Sequence, residues 1–213
     1  YLDDKQKEPC DVSRMELVLS EWLYNPTSPV RNITAQPDHF VQREHVKRKD
    51  RPFLVVINMM VPSIGNAVFS FARRADCPDP VFDDMLRHFC DRETTDDFRR
   101  KSFKILALIP EGSFIARKAV TQKPALICDH LNSSFHHGED VFEICIDVGS
   151  SKVAQSVMGA IRGFASGLTL QIGWVIEATT PETLPERLLG GICIVKPAME
   201  PLNPPRVPPS SSS

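Results

Sequence analysis

The stretch FEICIDVGSSKVAQSVMGAIRGF, residues 142–164, decides how this chain is read. Its first half alternates apolar and polar side chains, the period of a β-strand. Its second half, continued one step further, spaces Gly159, Gly163 and Gly167 four apart, which is one ridge of an α-helix. Between them, Asp147-Val148-Gly149-Ser150-Ser151-Lys152 resembles a phosphate loop. It lacks both the GxxxxGK[ST] frame of a P-loop and the GxGxxG of a dinucleotide site, so a nucleotide loop is excluded. A strand end and a helix cap remain, with Ser150 or Ser151 bonding free amides of the first helical turn. A helix start also favours anions, so a phosphate or lipid headgroup is the alternative role.

Working outward, the alternation puts Val141, Glu143, Cys145 and Asp147 on one face and Phe142, Ile144, Ile146 and Val148 on the other. That predicts one core face and one wetter face. The alternative is a polar cluster lining a cavity, with Glu143 and Asp147 binding a ligand group. The apolar run from 152 to 176 predicts one long helix. A glycine ridge permits close backbone approach, as in membrane helix dimers. Arg162 lies in mid-segment and would cost roughly 2.5–3.5 kcal/mol in a bilayer. A helix buried nearly all round against a sheet is therefore expected.

Elsewhere the chain reads mostly as strands. Residues 15–23, 52–61, 67–74, 103–109, 113–120, 125–135, 141–148 and 192–195 have strand patterning. Residues 28–36 read as a short helix or loop, 39–51 as a polar connection, and 179–191 as a turn with a short helix. Pro80 and the apolar stripe from Val81 to Phe89 predict a helix over 78–92. The fold class expected is α+β: a curved antiparallel sheet of about seven or eight strands packed around a long C-terminal helix. Sheets that grip a helix often leave a cavity between the two.

Domain organisation follows from composition. One domain is expected over 1–199, and the Pro/Ser-rich end, 200–213, reads as a disordered tail. The charged opening YLDDKQKEPC is no signal peptide, and the chain is expected to begin inside a longer polypeptide. The net charge of −2 supplies no global field for nucleic acid, and aromatic stacking platforms are missing. The six cysteines form no CxxC pair, which points to a reducing, cytoplasmic setting. His130, His136 and His137 lie near Cys128, Asp129, Glu139 and Asp140 without ligand spacing, so neither metal nor cofactor is expected. No GxSxG or other nucleophile motif appears.

Two basic patches stand out. One comprises Arg43, His45, Lys47, Arg48, Lys49 and Arg51; the other Arg99, Arg100, Lys101 and Lys104, joined by Arg117 and Lys118. Intermixed acids make a solvated surface the plain reading. Contact with anionic lipid headgroups is the functional one.

Several segments resemble a known family. NMMVP (58–62), DDFRRKSFKILALIPEGSFIARKAV (96–120), VFEICIDVGSSKVAQSVMGAIRGF (141–164) and LPERLLGG (184–191) are similar, in the same order, to the C-terminal domain of the plant Enhanced Disease Resistance family. The opening YLDDKQKEPC is similar too. Departures are Cys145 where an acidic residue is expected, Val141 where an aromatic is expected, and Met59 and Met60 where the family has Leu-Gln. The resemblance implies a domain that follows pleckstrin-homology and START modules in membrane-associated regulators, without catalytic residues to carry over. A START-like helix-grip fold agrees with the sheet-and-helix reading.

The leading expectation is thus a non-enzymatic lipid-binding or membrane-peripheral regulatory domain, cytoplasmic, holding an apolar lipid between sheet and helix. Arg99, Lys101, Lys104, Arg117 and Lys118 are the headgroup candidates, with Glu143, Asp147, Ser150 and Ser151 as further ligand-binding candidates. A protein-interaction module with a filled core is the alternative, and an uncharacterised enzyme the second alternative.

Overall fold

The computed structural model describes residues 12–120 and 123–197. The proposed tail at 200–213 and the opening decapeptide lie outside the described residues. In chain order the elements are β1 (Met15–Tyr24), α1 (Phe40–Arg43), β2 (Leu54–Val61), β3 (Gly65–Arg73), α2 (Pro80–Cys90) and α3 (Asp96–Ser102). Then come β4 (Phe103–Glu111), α4 (Phe114–Ala119), β5 (Ala125–Leu126), α5 (Ile127–His130), β6 (Asn132–His137) and β7 (Val141–Asp147). Finally α6 (Lys152–Gly163), β8 (Thr169–Ile176) and β9 (Leu188–Val195) complete the fold. Single 3-10 turns lie at Ile33–Ala35, His45–Lys47, Val148–Ser150 and Ala165–Gly167.

The α+β class holds, but the single antiparallel sheet does not. The strands form two sheets, five in the order β1-β3-β2-β7-β6 and four in the order β5-β4-β8-β9. The first is mixed, because β7 pairs parallel with β2 and antiparallel with β6. β2, β3 and β7 lie inside this sheet, and nearly all their side chains are buried. That explains the largely apolar run of β2, in which Asn58 is the one polar residue. It also corrects the wetter face expected of β7, where Glu143 and Cys145 are fully buried. The β2–β3 hairpin needs Gly65, whose φ is +128° and whose missing Cβ would lie 2.1 Å from the carbonyl oxygen of Leu23.

The main core lies between the sheets. Trp174 of β8 packs with its ring 5.6 Å from those of Phe69 and Phe71 on β3. Phe89 of α2 stands 5.7 Å from Phe103 and 5.8 Å from Phe142. A second cluster covers the other face of the five-stranded sheet, where Ile33, Val41, Phe40 and Val46 meet Leu54, Val56, Val68 and Val141.

The long C-terminal helix is not present. α6 stops at Gly163, and the chain passes through the turn at Ala165–Gly167 into β8. Leu170, Ile172, Trp174 and Ile176 point to one face, a strand alternation hidden in an apolar run that also suits a helix. Nor is α6 buried all round. It packs Ile161, Val157 and Met158 onto Leu168, Leu170, Ala116 and Val120. A Cβ on Gly159, Gly163 or Gly167 would meet nothing within 4 Å, so this ridge faces open space.

Other boundaries differ from expectation. Residues 113–120, expected as a strand, are α4, started by Ser113, whose Oγ accepts from the Ala116 amide at 3.1 Å. The strand expected over 125–135 is broken by α5. α3 was not foreseen; Thr95 caps it by accepting from the Phe98 amide at 3.2 Å. The last strand opens at Leu188 rather than 192, and the segment before it contains a cis Leu184–Pro185 bond in place of a short helix.

Candidate functional site

The carboxylate of Glu143 is held by four hydrogen bonds. Its two oxygens accept from the amides of Ile33 (3.0 Å) and Thr34 (2.9 Å), the Thr34 hydroxyl (2.8 Å) and Asn58 Nδ2 (2.8 Å). Asn66 Nδ2 donates to Asn58 Oδ1 at 2.7 Å and to the Val30 carbonyl at 2.8 Å. Asn32 enters this loop in the left-handed region, φ 49°. Glu143 therefore pins residues 30–34 over the sheet, with donors alone around it and no route to solvent. Beside it, burial pushes the Cys145 thiol up to about 11, which leaves it a packing group.

The Asp147–Ser151 junction is occupied in the same way. Asp147 pairs with Arg31 at 3.1 Å on the surface. Ser150 Oγ donates to the Asp147 carbonyl at 2.6 Å and accepts from the Asn132 amide at 2.9 Å. Ser151 caps α6 by accepting from the Ala154 amide at 3.5 Å. The capping role expected of the serines is present, carried on the helix itself by Ser151.

The headgroup candidates divide. Arg99 is buried and donates to the carbonyls of Phe89 (2.9 Å) and Asp91 (2.5 Å) and to Asp96 (2.8 Å). Its guanidinium lies 5.6 Å over the Phe135 ring and 5.2 Å over the Phe142 ring. Lys104 bonds Glu186 (2.6 Å) and Glu177 (2.9 Å). Burial would lower its pKa, but these two carboxylates outweigh that and raise it. Lys101 pairs with Asp97 one turn away at 2.8 Å. Arg117 and Lys118 are different. They stand exposed on α4 with no side-chain hydrogen bond or ion pair among the described residues.

α4 turns Ala116 and Val120 inward and presents Phe114, Ile115, Arg117 and Lys118 outward. Phe114 is 63% exposed and Ile115 62%, and Lys118 Nζ lies 4.5 Å from the Phe114 ring centroid. Phe114 and Ile115 were missed in the sequence because residues 113–120 read as a strand, whose alternation would turn one of the two inward. The signal that could have found them is Ser113, a helix cap that would have thrown both outward. Lys123, beyond the helix, and Arg162, in the last turn of α6, are also exposed cations without a side-chain partner among the described residues.

Two open clefts lie on the surface of the described residues. One, of about 440 Å³, is lined by Arg31, Arg100, His130, Asn132 and Ser133; the other, of about 460 Å³, by His88, Asp91, Thr94 and Phe98. Neither lies in the layer between the sheets, which aromatic rings fill. Among the described residues no helix is long and apolar enough to cross a membrane.

Comparison with known proteins completes the picture. Residues 1–196 match the family described as Protein Enhanced Disease Resistance 2, C-terminal. A curated protein from Arabidopsis thaliana, named Protein Enhanced Disease Resistance 2-like, is 32% identical over 198 residues, covering 90% of this chain. The chain spans about a quarter of that relative, 26% of its length. No solved structure matches.

Proposed function

The chain belongs to the family of Enhanced Disease Resistance 2 C-terminal domains, and on that premise we propose a non-enzymatic regulatory domain working at the surface of anionic membranes. One observation carries the reading. Of the cations nominated in the sequence for a headgroup, Arg99, Lys101 and Lys104 are engaged within the domain, whereas Arg117 and Lys118 are exposed and unpaired among the described residues. With aromatic side chains filling the layer between the sheets, the lipid is met at the surface and not enclosed. Lysine and arginine near an anionic bilayer contribute about 1 kcal/mol each, and salt weakens that attraction.

The test is sedimentation with phosphatidylcholine vesicles, with and without phosphatidylserine, at low and physiological salt. Binding should require phosphatidylserine and weaken with salt. Replacing Arg117 and Lys118 by glutamate should reduce it at least about tenfold. Equal sedimentation with both vesicle types, or none with either, removes the proposal.

A second reading, protein contact by a domain with a filled core, is favoured by β1. This edge strand exposes Leu17, Val18, Trp22 and Tyr24. Self-association that Trp22→Lys abolishes in analytical ultracentrifugation would favour it.

A further inference from the structure

Electrostatic attraction explains Arg117 and Lys118 but leaves the two large apolar side chains beside them without a role. Phe114 and Ile115 are consecutive, both more than half exposed, and open a helix whose buried face is already satisfied by Ala116 and Val120. Water penalises that exposure, and neighbouring groups could have been polar at no cost to packing. We infer that α4 is a membrane-insertion element, in which Phe114 and Ile115 enter the acyl boundary of an anionic bilayer while Arg117 and Lys118 meet its headgroups.

Three features point to a bilayer as the occupant. The first is charge complementarity: Arg117, Lys118, Lys123 and Arg162 have no acidic partner among the described residues, whereas Lys101, Lys104 and Arg99 are all paired. The second is composition. Aromatic and aliphatic side chains beside lysine and arginine suit the membrane interface, while lysine is depleted from protein interfaces. The third is local geometry. Lys118 Nζ lies 4.5 Å from the Phe114 ring centroid, so a cation on a long flexible stem shares the exposed face of α4 with the apolar ring and can reach headgroup phosphates when the ring is submerged. The helix has six residues, about 9 Å of axis, which reaches the headgroup and upper acyl region and does not span.

This inference rests on the membrane-peripheral reading above and adds its mode, insertion rather than charge alone. The test uses the chain carrying Phe114→Trp in a Trp22→Phe background, with Trp174 retained as the buried reference. Vesicles of phosphatidylcholine and phosphatidylserine are prepared with and without bromine on the acyl chains. The expected result is a blue shift and bromine quenching that Trp22→Phe alone does not show. In parallel, Phe114→Ser with Ile115→Ser should weaken vesicle binding at physiological salt at least about tenfold. These side chains are exposed, so the thermal unfolding of the double variant should match the parent.

Phosphatidylserine-dependent sedimentation without quenching, and without loss in the serine variant, overturns insertion while leaving the peripheral reading intact. Failure of the unsubstituted chain to sediment with any vesicle overturns both. Loss of a dimer on Phe114→Ser and Ile115→Ser, with vesicle binding unchanged, overturns insertion in favour of a contact between copies.

Discussion

Glu143 shows how a single residue can look like a site and serve as a keystone. In sequence it is a carboxylate four positions from another, Asp147, on the polar side of an alternating strand. In the fold it is fully buried and collects four donors, from Ile33, Thr34 and Asn58. Removing it strands those donors in a site closed to water, which is the costly way to break a buried network. Glu143→Ala should therefore lower the unfolding free energy by roughly 3–5 kcal/mol in urea titration. A residue serving an external ligand would show loss of binding with little change in stability. The same logic explains part of the LPERLLGG motif. Arg187 Nε donates to Asp79 at 2.6 Å, and a Cβ on Gly190 would press to 2.6 Å from the Phe71 ring. Neither partner is near in sequence, so neither reason could be read there.

At the scale of elements, the outcome depended on whether local chemistry matched tertiary need. β2 was legible because residues 54–61 are apolar apart from Asn58 and rich in valine. α2 was legible because Pro80 suits its first turn and its stripe repeats at helical spacing. The stretch from 152 to 176 was legible only to Gly163, because hydrophobicity alone does not separate a helix from the strand that follows it. Its glycines invited a close-packing explanation that the open space around them removes. Gly159→Ala should accordingly stabilise the domain, by up to about 1 kcal/mol, since alanine favours helix and meets nothing. Chemical denaturation would measure it, and a clear loss of stability would mean that this ridge is packed after all. In the candidate site, Arg117 and Lys118 could be named from composition. Their freedom from partners, and the neighbouring Phe114 and Ile115, required the turn of α4 to be known.

For the molecule as a whole, several buried titratable groups act in the same direction. Burial holds His39 below its ordinary pKa against the pull of Glu21, 3.0 Å away, and of Glu143. Burial likewise lowers His45 and His137, helped by Arg51 and Arg99 respectively. For Asp79, burial pushes the carboxyl up, but the Phe82 amide, Arg14 and Arg187 outweigh it and bring it below the ordinary value. In each case the unfolded chain takes up protons at a higher pH than the fold does. Stability is then full above the unfolded pKa values and declines as pH falls through the folded ones. The histidine part should begin to fall below about pH 6.5, and the Asp79 part below about pH 4. Thermal scans should show a lower Tm at pH 5.5 than at pH 7.5, and His39→Gln should flatten that difference. A Tm unchanged across that range would contradict the burial of these imidazoles. Sequence by itself determined the α+β class, the inner strands of the five-stranded sheet, α2, the serine-capped junction after β7 and the family. These are written in local periodicity, capping chemistry and ordered motifs. Only the tertiary structure decided the split into two sheets, the parallel pairing of β7 with β2, the filling of the layer between them, and which cations stay free. Those depend on partners up to about a hundred residues apart in the chain, as Glu143 is from Thr34. No local pattern encodes a partner at that distance.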